Sequence, residues 1–155
     1  MVDEALLLRK VSELEEYLAQ IREYKGIHLD EYRSDWKIQR IVERTLQMMI
    51  ETCVDIAGHI ISDKKSRIPV SYSDTFKVLE ESGILSNQLF EKMEKMAKFR
   101  NVVVHQYDKV DGEIVVGILQ RDLEDFLSYK EVIIDFIKAQ RTPHKTDEQV
   151  QSFKE

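Results

Sequence analysis

Residues 4–26 read EALLLRKVSELEEYLAQIREYKG, and one spacing within them decides the fold class. Leu7, Val11, Leu14, Leu18 and Ile21 recur at intervals of four, three, four and three. An α-helix turns about 100° per residue, so these five side chains line one side of one helix. Arg9, Lys10, Glu13, Glu15 and Glu16 fall on its other sides. Gly26 follows the last periodic residue and predicts a C-terminal glycine cap. The stripe fits a helix packed in its own bundle. It also fits a short seam between two copies.

The same period continues along the chain. A longer helix is predicted from about Asp35 to Ser62, with Ile38, Ile41, Val42, Thr45, Met48, Met49, Thr52, Cys53, Ile56 and Ile60 on its apolar side. Lys37, Arg40 and Arg44 sit at i, i+3 and i+7 on another stripe. Cys53 reads as a buried small hydrophobe, and His59, beside Gly58 and Ile60, as a structural histidine. Ile27 to Ser34 is a connection, and Lys64 to Ser73, with Pro69, is a loop. Ser73 predicts a cap for a short helix over Asp74 to Ser82, closed by Gly83. Ser86 caps a helix from Asn87 to His105. Val102 to Val104, three β-branched residues, would weaken its end. A turn at Asp108 to Gly112 leads into a last helical stretch from Glu113 to Ala139, bent near Gly117 to Asp122. The fold class is therefore all-α, an up-and-down bundle of four to five helices. Residues 1–140 form one domain and residues 141–155, polar and containing Pro143, a flexible tail.

Composition agrees and narrows the function. The 155 residues carry 23 Lys and Arg against 29 Asp and Glu, a net charge of −6. That balance argues against coating nucleic acid through bulk charge, though not against a local basic site. Residues 86–110 hold Lys92, Lys95, Lys98, Arg100 and Lys109 against Glu91, Glu94 and Asp108. One cysteine excludes an intrachain disulfide scaffold, and His28, His59, His105 and His144 are too scattered for a zinc set. Apolar runs are too short to span a membrane, and the N-terminus lacks the charge and apolar stretch of a signal peptide. A soluble, cytoplasmic protein without metal or cofactor is expected.

One segment carries chemistry: Phe99-Arg100-Asn101-Val102-Val103-Val104-His105-Gln106-Tyr107-Asp108. On one straight helix, Arg100 and Tyr107 are nearly eclipsed, as are Asn101 and His105, but His105 lies about 140° from Arg100. To act on one group, the helix must unwind near His105, or a second copy must bring its own set alongside. Arginine offers a fixed fork of donors that suits a phosphate and steadies charge growing on a phosphorane. Histidine, with an unperturbed pKa near 6.5, gives or takes a proton near neutrality. Asparagine can orient either, and tyrosine offers a hydroxyl to a phosphate or a modifying group. No carboxylate cluster accompanies them. The set suits metal-free cleavage of RNA through its own 2′-hydroxyl.

Arg100, His105 and Tyr107 form an R-x4-H-x-Y pattern near the end of the fourth predicted helix. Lys98-Phe99 leads into it, and Asp108-Lys109-Val110-Asp111 with Ile114, Val115, Ile118 and Leu119 leads out. Together with Leu46, Glu51, Asp55, Ile56, Ala57 and His59-Ile60, this resembles the HepT-like family of HEPN ribonuclease toxins over about residues 5–140. The resemblance implies a HEPN-type helical bundle that forms a homodimer, with the two motifs facing each other. It implies a metal-independent endoribonuclease toxin of a toxin–antitoxin pair, with Arg100 and His105 catalytic and Asn101 supporting. It also implies an MntA-type minimal nucleotidyltransferase as antitoxin, which silences the toxin by transferring AMP onto Tyr107. A non-catalytic adaptor or nucleotide-binding partner of such a nucleotidyltransferase is the alternative. In a third reading, Arg100 sits in a surface ion pair while His105 and Tyr107 merely end a helix.

Overall fold

The computed structural model describes residues 2–154, with side chains as far as Arg141. The elements are α1 (Glu4–Ile21), α2 (Leu29–Ser34), α3 (Trp36–Lys64), α4 (Tyr72–Glu81), α5 (Asn87–His105), α6 (Gly112–Gly117) and α7 (Leu123–Lys154), with no strand among the described residues. Short 3-10 turns follow α1 and α5, and a π-helical turn over Ile118–Asp122 joins α6 to α7. The chain is all-α, as its periodicity predicts. Five long runs carry the bundle, namely α1, α3, α4, α5 and the α6–α7 run. The predicted bend at Gly117 to Asp122 is this π turn, a known way of kinking a helix without breaking it.

The α1 stripe is consumed within the protein's own bundle. Leu7 and Leu14 are fully buried, and Val11, Leu18 and Ile21 nearly so. The stripe is thus a packing face, not a seam between copies. Its partner is α3, the central helix, against which α4 and α5 also pack. Leu46, Met49, Ile50, Cys53, Ile56 and Ile60 of α3 are fully buried, as are Phe126, Tyr129 and Ile133 of α7. Each such side chain contributes about 1.5–3 kcal/mol of hydrophobic stabilisation. Tyr129 adds a polar tie: its hydroxyl donates to the Cys53 carbonyl at 2.7 Å, and its ring meets Phe76 edge-on at 5.7 Å. Helices α3, α4 and α7 are thereby joined at one point.

Several local expectations change. Gly26 does not adopt a left-handed cap; α1 tightens instead into the 3-10 turn Arg22–Tyr24, whose bonds absorb the terminal carbonyls. The connection Ile27 to Ser34 contains the short α2, because Tyr32 buries its ring and donates its hydroxyl to Glu43 at 3.2 Å. Helix α4 is capped by Ser71, not Ser73: the Ser71 hydroxyl accepts from Asp74 N at 3.0 Å. His59 lies on the exposed side of α3, so it is no core histidine. The valines at 102–104 remain helical. Ser86 caps α5 and Gly83 closes α4 at φ 77°, both as predicted. The predicted flexible tail, residues 141–155, lies outside the described side chains except for Arg141. Arg141, the last described side chain, pairs with Glu4 at the start of α1.

Tyr129→Phe keeps the ring packing and removes the bond to the Cys53 carbonyl. It is expected to lower stability by about 1 kcal/mol, read as a lower urea midpoint at unchanged m-value.

Candidate active site

Helix α5 buries Leu89, Phe90, Met93, Met96, Ala97, Phe99 and Val103 and turns Arg100 along the bundle surface toward α3. The Arg100 side chain is mostly covered, at 15% exposed. Its Nε and Nη2 both donate to Glu51 Oε1, at 3.0 and 2.9 Å. Gln47, one turn earlier on α3, donates to the same oxygen at 3.0 Å. The third nitrogen of the fork, Nη1, donates to Asn101 Oδ1 at 3.3 Å. The guanidinium also lies over the ring of Tyr72, 4.5 Å from its centroid. A cation on an aromatic face is attracted by the ring quadrupole, the more so where water is partly excluded.

Tyr72 is the first residue of α4, so its place depends on the loop before it. Arg67 holds that loop with a paired contact to Asp74 at 2.7 Å for both bonds and a second to Glu81 at 2.9 and 3.1 Å. Asp74 also accepts from Val70 N at 3.0 Å. The Arg67 fork holds the Asp74 carboxyl at about 2, below the usual carboxylate range, aided by the Val70 bond. Arg67 and Glu81 are exposed and Asp74 is partly covered, so these pairs set geometry more than they add stability.

The end of α5 places the other motif residues. Helix α5 runs through His105, and Gln106 leaves it at φ −139°, ψ 48°. Tyr107 then sits in the 3-10 turn Tyr107–Lys109, no longer eclipsed with Arg100. His105 and Asn101 are exposed, and Tyr107 is 72% exposed. Tyr107 borders a groove that it shares with Tyr32, Arg33, Arg40, Glu43 and Asp111. The structure thus joins Arg100 to Asn101 and leaves His105 and Tyr107 beside them on the surface, without a bond from the Arg100 fork. Among the described residues, no three His, Cys, Asp or Glu side chains are placed to hold a metal ion.

Three members of this site escape a reading of the motif, and Gln47, which holds Glu51 from one turn earlier, is one of them. Glu51, 49 residues before Arg100, shows only as part of the likeness of the second helix, and Tyr72 shows not at all. The one available signal is the seven-residue step from Lys37 through Arg44 to Glu51, which puts Glu51 on the outward line of α3. The surface ion pair of the third reading exists, but it belongs to a cluster of five side chains at the motif.

Residues 14–133 match the family described as ribonuclease HepT-like. The chain belongs to that family. It is 32% identical over 135 residues to the mRNA nuclease HepT of Shewanella oneidensis, covering 87% of this chain and 98% of that protein. It is 30% identical over 121 residues to the tRNA nuclease HepT of Aphanizomenon flos-aquae, covering 78% of this chain and 82% of the other. A solved structure of a tri-AMPylated HEPN toxin from S. oneidensis, in complex with an MNT antitoxin, superposes with a TM-score of 0.78 at 30% identity, over 87% of this chain and 99% of that one. The all-α bundle is thus the HEPN fold. Among the described residues no helix is long and apolar enough to cross a membrane.

Burial pushes the Glu51 carboxyl up, but the bonds from Gln47 and Arg100 and the charges of Arg100 and Arg44 outweigh it, and the group ends below its usual range. A carboxyl lowered on folding contributes stability above its unfolded pKa, about 4.3, and loses it as pH falls through the folded value. Glu51→Gln should therefore flatten the acid limb of a plot of urea midpoint against pH. An acid limb identical to that of the parent would show that the pair carries no such linkage.

Proposed function

We propose that this chain is a metal-independent endoribonuclease toxin of a toxin–antitoxin pair, active as a homodimer in the cytoplasm. The observation that carries this reading is the Arg100 fork, held by Glu51 and Tyr72 beside Asn101, with His105 exposed on the next turn of a HepT-like chain. In the reaction the 2′-oxygen of one ribose attacks the adjacent phosphorus. The 5′-oxygen of the next nucleotide leaves, and a 2′,3′-cyclic phosphate remains. His105 takes the proton of the 2′-hydroxyl, and the His105 of the second copy returns one to the leaving oxygen. Proton transfer of this kind contributes about 10²- to 10⁴-fold. Arg100 keeps its bonds to Glu51 and Asn101 and offers the phosphorane the N–H that each of its two Nη nitrogens has left, which match the added charge. Asn101 keeps the fork aimed.

The proposed silencing partner is a minimal nucleotidyltransferase of the MntA type. The Tyr107 oxygen attacks the α-phosphorus of ATP, pyrophosphate leaves, and the hydroxyl proton passes to solvent. The exposure of Tyr107 and its position at the helix end support this role. The bound AMP places a phosphate and a bulky base where substrate RNA would run, and offers the neighbouring arginines the wrong anion. In the adaptor alternative Tyr107 still accepts AMP but no RNA is cut.

Unmodified protein should cut single-stranded RNA in EDTA. Arg100→Ala and His105→Ala should each slow cutting by at least about 10²-fold with an unchanged circular dichroism spectrum. Cutting that survives His105→Ala would remove the mechanism. Folded protein that never cuts, yet gains AMP at Tyr107 by intact mass, would establish the adaptor.

A further inference from the structure

The mechanism leaves the cations of α3 unused. Trp36, Lys37, Arg40, Ile41, Arg44 and Gln47 fall within one sector of the helix, about 140° wide at 100° per residue. Lys37, Arg40 and Arg44 are exposed, and so are Trp36 at 65% and Ile41 at 48%. Between Trp36 and Gln47 the one carboxylate is Glu43. It is buried and takes the Tyr32 hydroxyl, and its contact with Arg40 is long, at 3.6 Å. Lys37 leans on the Trp36 ring, 5.8 Å from its centroid. A chain of net charge −6 thus carries an exposed helix face with three cations and no exposed anion.

This face is continuous with the site at two places. Its lower end is Gln47 and Glu51, which hold Arg100, and the charge of Arg44 acts on Glu51. Its middle, Arg40, lines the same groove as Tyr107. From Lys37 to Glu51 the helix rises about 21 Å. We propose that this face of α3 is the track along which the backbone of single-stranded RNA approaches Arg100, with Trp36 stacking on a base. The proposal rests on the ribonuclease reading and names where its substrate lies. Phosphates pair with the three cations, and an exposed indole ring at the start of such a row suits any base, since every base has a π-face. An AMP on Tyr107 would enter the groove at Arg40 and interrupt the track midway.

The test uses full-length protein carrying His105→Ala, so that RNA is bound and not cut. The probe is a fluorescein-labelled single-stranded RNA of mixed sequence, titrated by anisotropy across a salt series. Each phosphate neutralised on a single strand contributes about −0.7 to the slope of log affinity against log salt. Replacing Lys37, Arg40 and Arg44 together by serine should weaken binding and shorten the slope by about 2. Serine at Lys92, Lys95 and Lys98 should leave it nearly unchanged, since these cations stand on α5, off the proposed track. An unchanged slope in the α3 variant, or its loss in the α5 variant instead, overturns the track alone. So does a change of mass by light scattering in the α3 variant, because the face would then belong to a second copy. A parent that binds no RNA at any salt overturns the ribonuclease reading, and the track with it.

Discussion

A guanidinium drawn mostly out of water must find compensation, and at Arg100 three helices supply it. Glu51 of α3 accepts two of its bonds, Tyr72 of α4 offers a ring face, and Asn101 of α5 takes the remaining edge. Loss of either charge would leave the other half-covered and unpaired, which costs far more than the pair itself contributes. The cluster therefore fixes how α3, α4 and α5 meet at this end of the bundle. It also keeps the fork in one orientation before any substrate arrives. A lysine could not replace it: a single ammonium has no planar set of donors to share between Glu51 and Asn101.

The same constraint explains the elements around it. Tyr72 lies under Arg100 because Ser71 caps α4 and Arg67 ties the preceding loop to Asp74 and Glu81. On the other side, α5 ends one residue after the last turn that Arg100 belongs to. His105 is the last residue of α5. The break at Gln106 then carries Tyr107 off the helix and into the groove beside Arg40. Tyr107 and the Arg100 fork thereby stand apart, the one in the 3-10 turn after α5 and the other against Glu51 of α3.

Charge is distributed to match. The carboxylates that make the chain acidic are spread over much of its surface, while α3 itself exposes no carboxylate between Trp36 and Gln47, and Asp108 and Asp111 reach only the groove at Arg40. Bulk charge is thus a poor guide to what a protein binds. Potential acts over about 8 Å at physiological salt, so a local row of cations next to a site outweighs a distant excess of carboxylates.

Much of the fold was legible in the residues alone. The four-three spacing of Leu7 to Ile21, the caps Ser86 and Gly83, and the helix limits Asn87 and His105 are local facts, set by helix period and by bonds between near neighbours. Arg100, Asn101, His105 and Tyr107 stand out for the same reason, as chemistry-bearing types at fixed spacing. The choice of Ser71 over Ser73 as cap was not legible, since both are serines in one loop and the arrangement of Arg67 and Asp74 decides between them. Nor was the exposure of His59, which depends on which side of α3 its neighbours cover. Above all, Glu51 and Tyr72 became part of the site only when α3 and α4 packed against α5. Helical periodicity says which residues share a face, but only packing brings together side chains 49 residues apart in the chain.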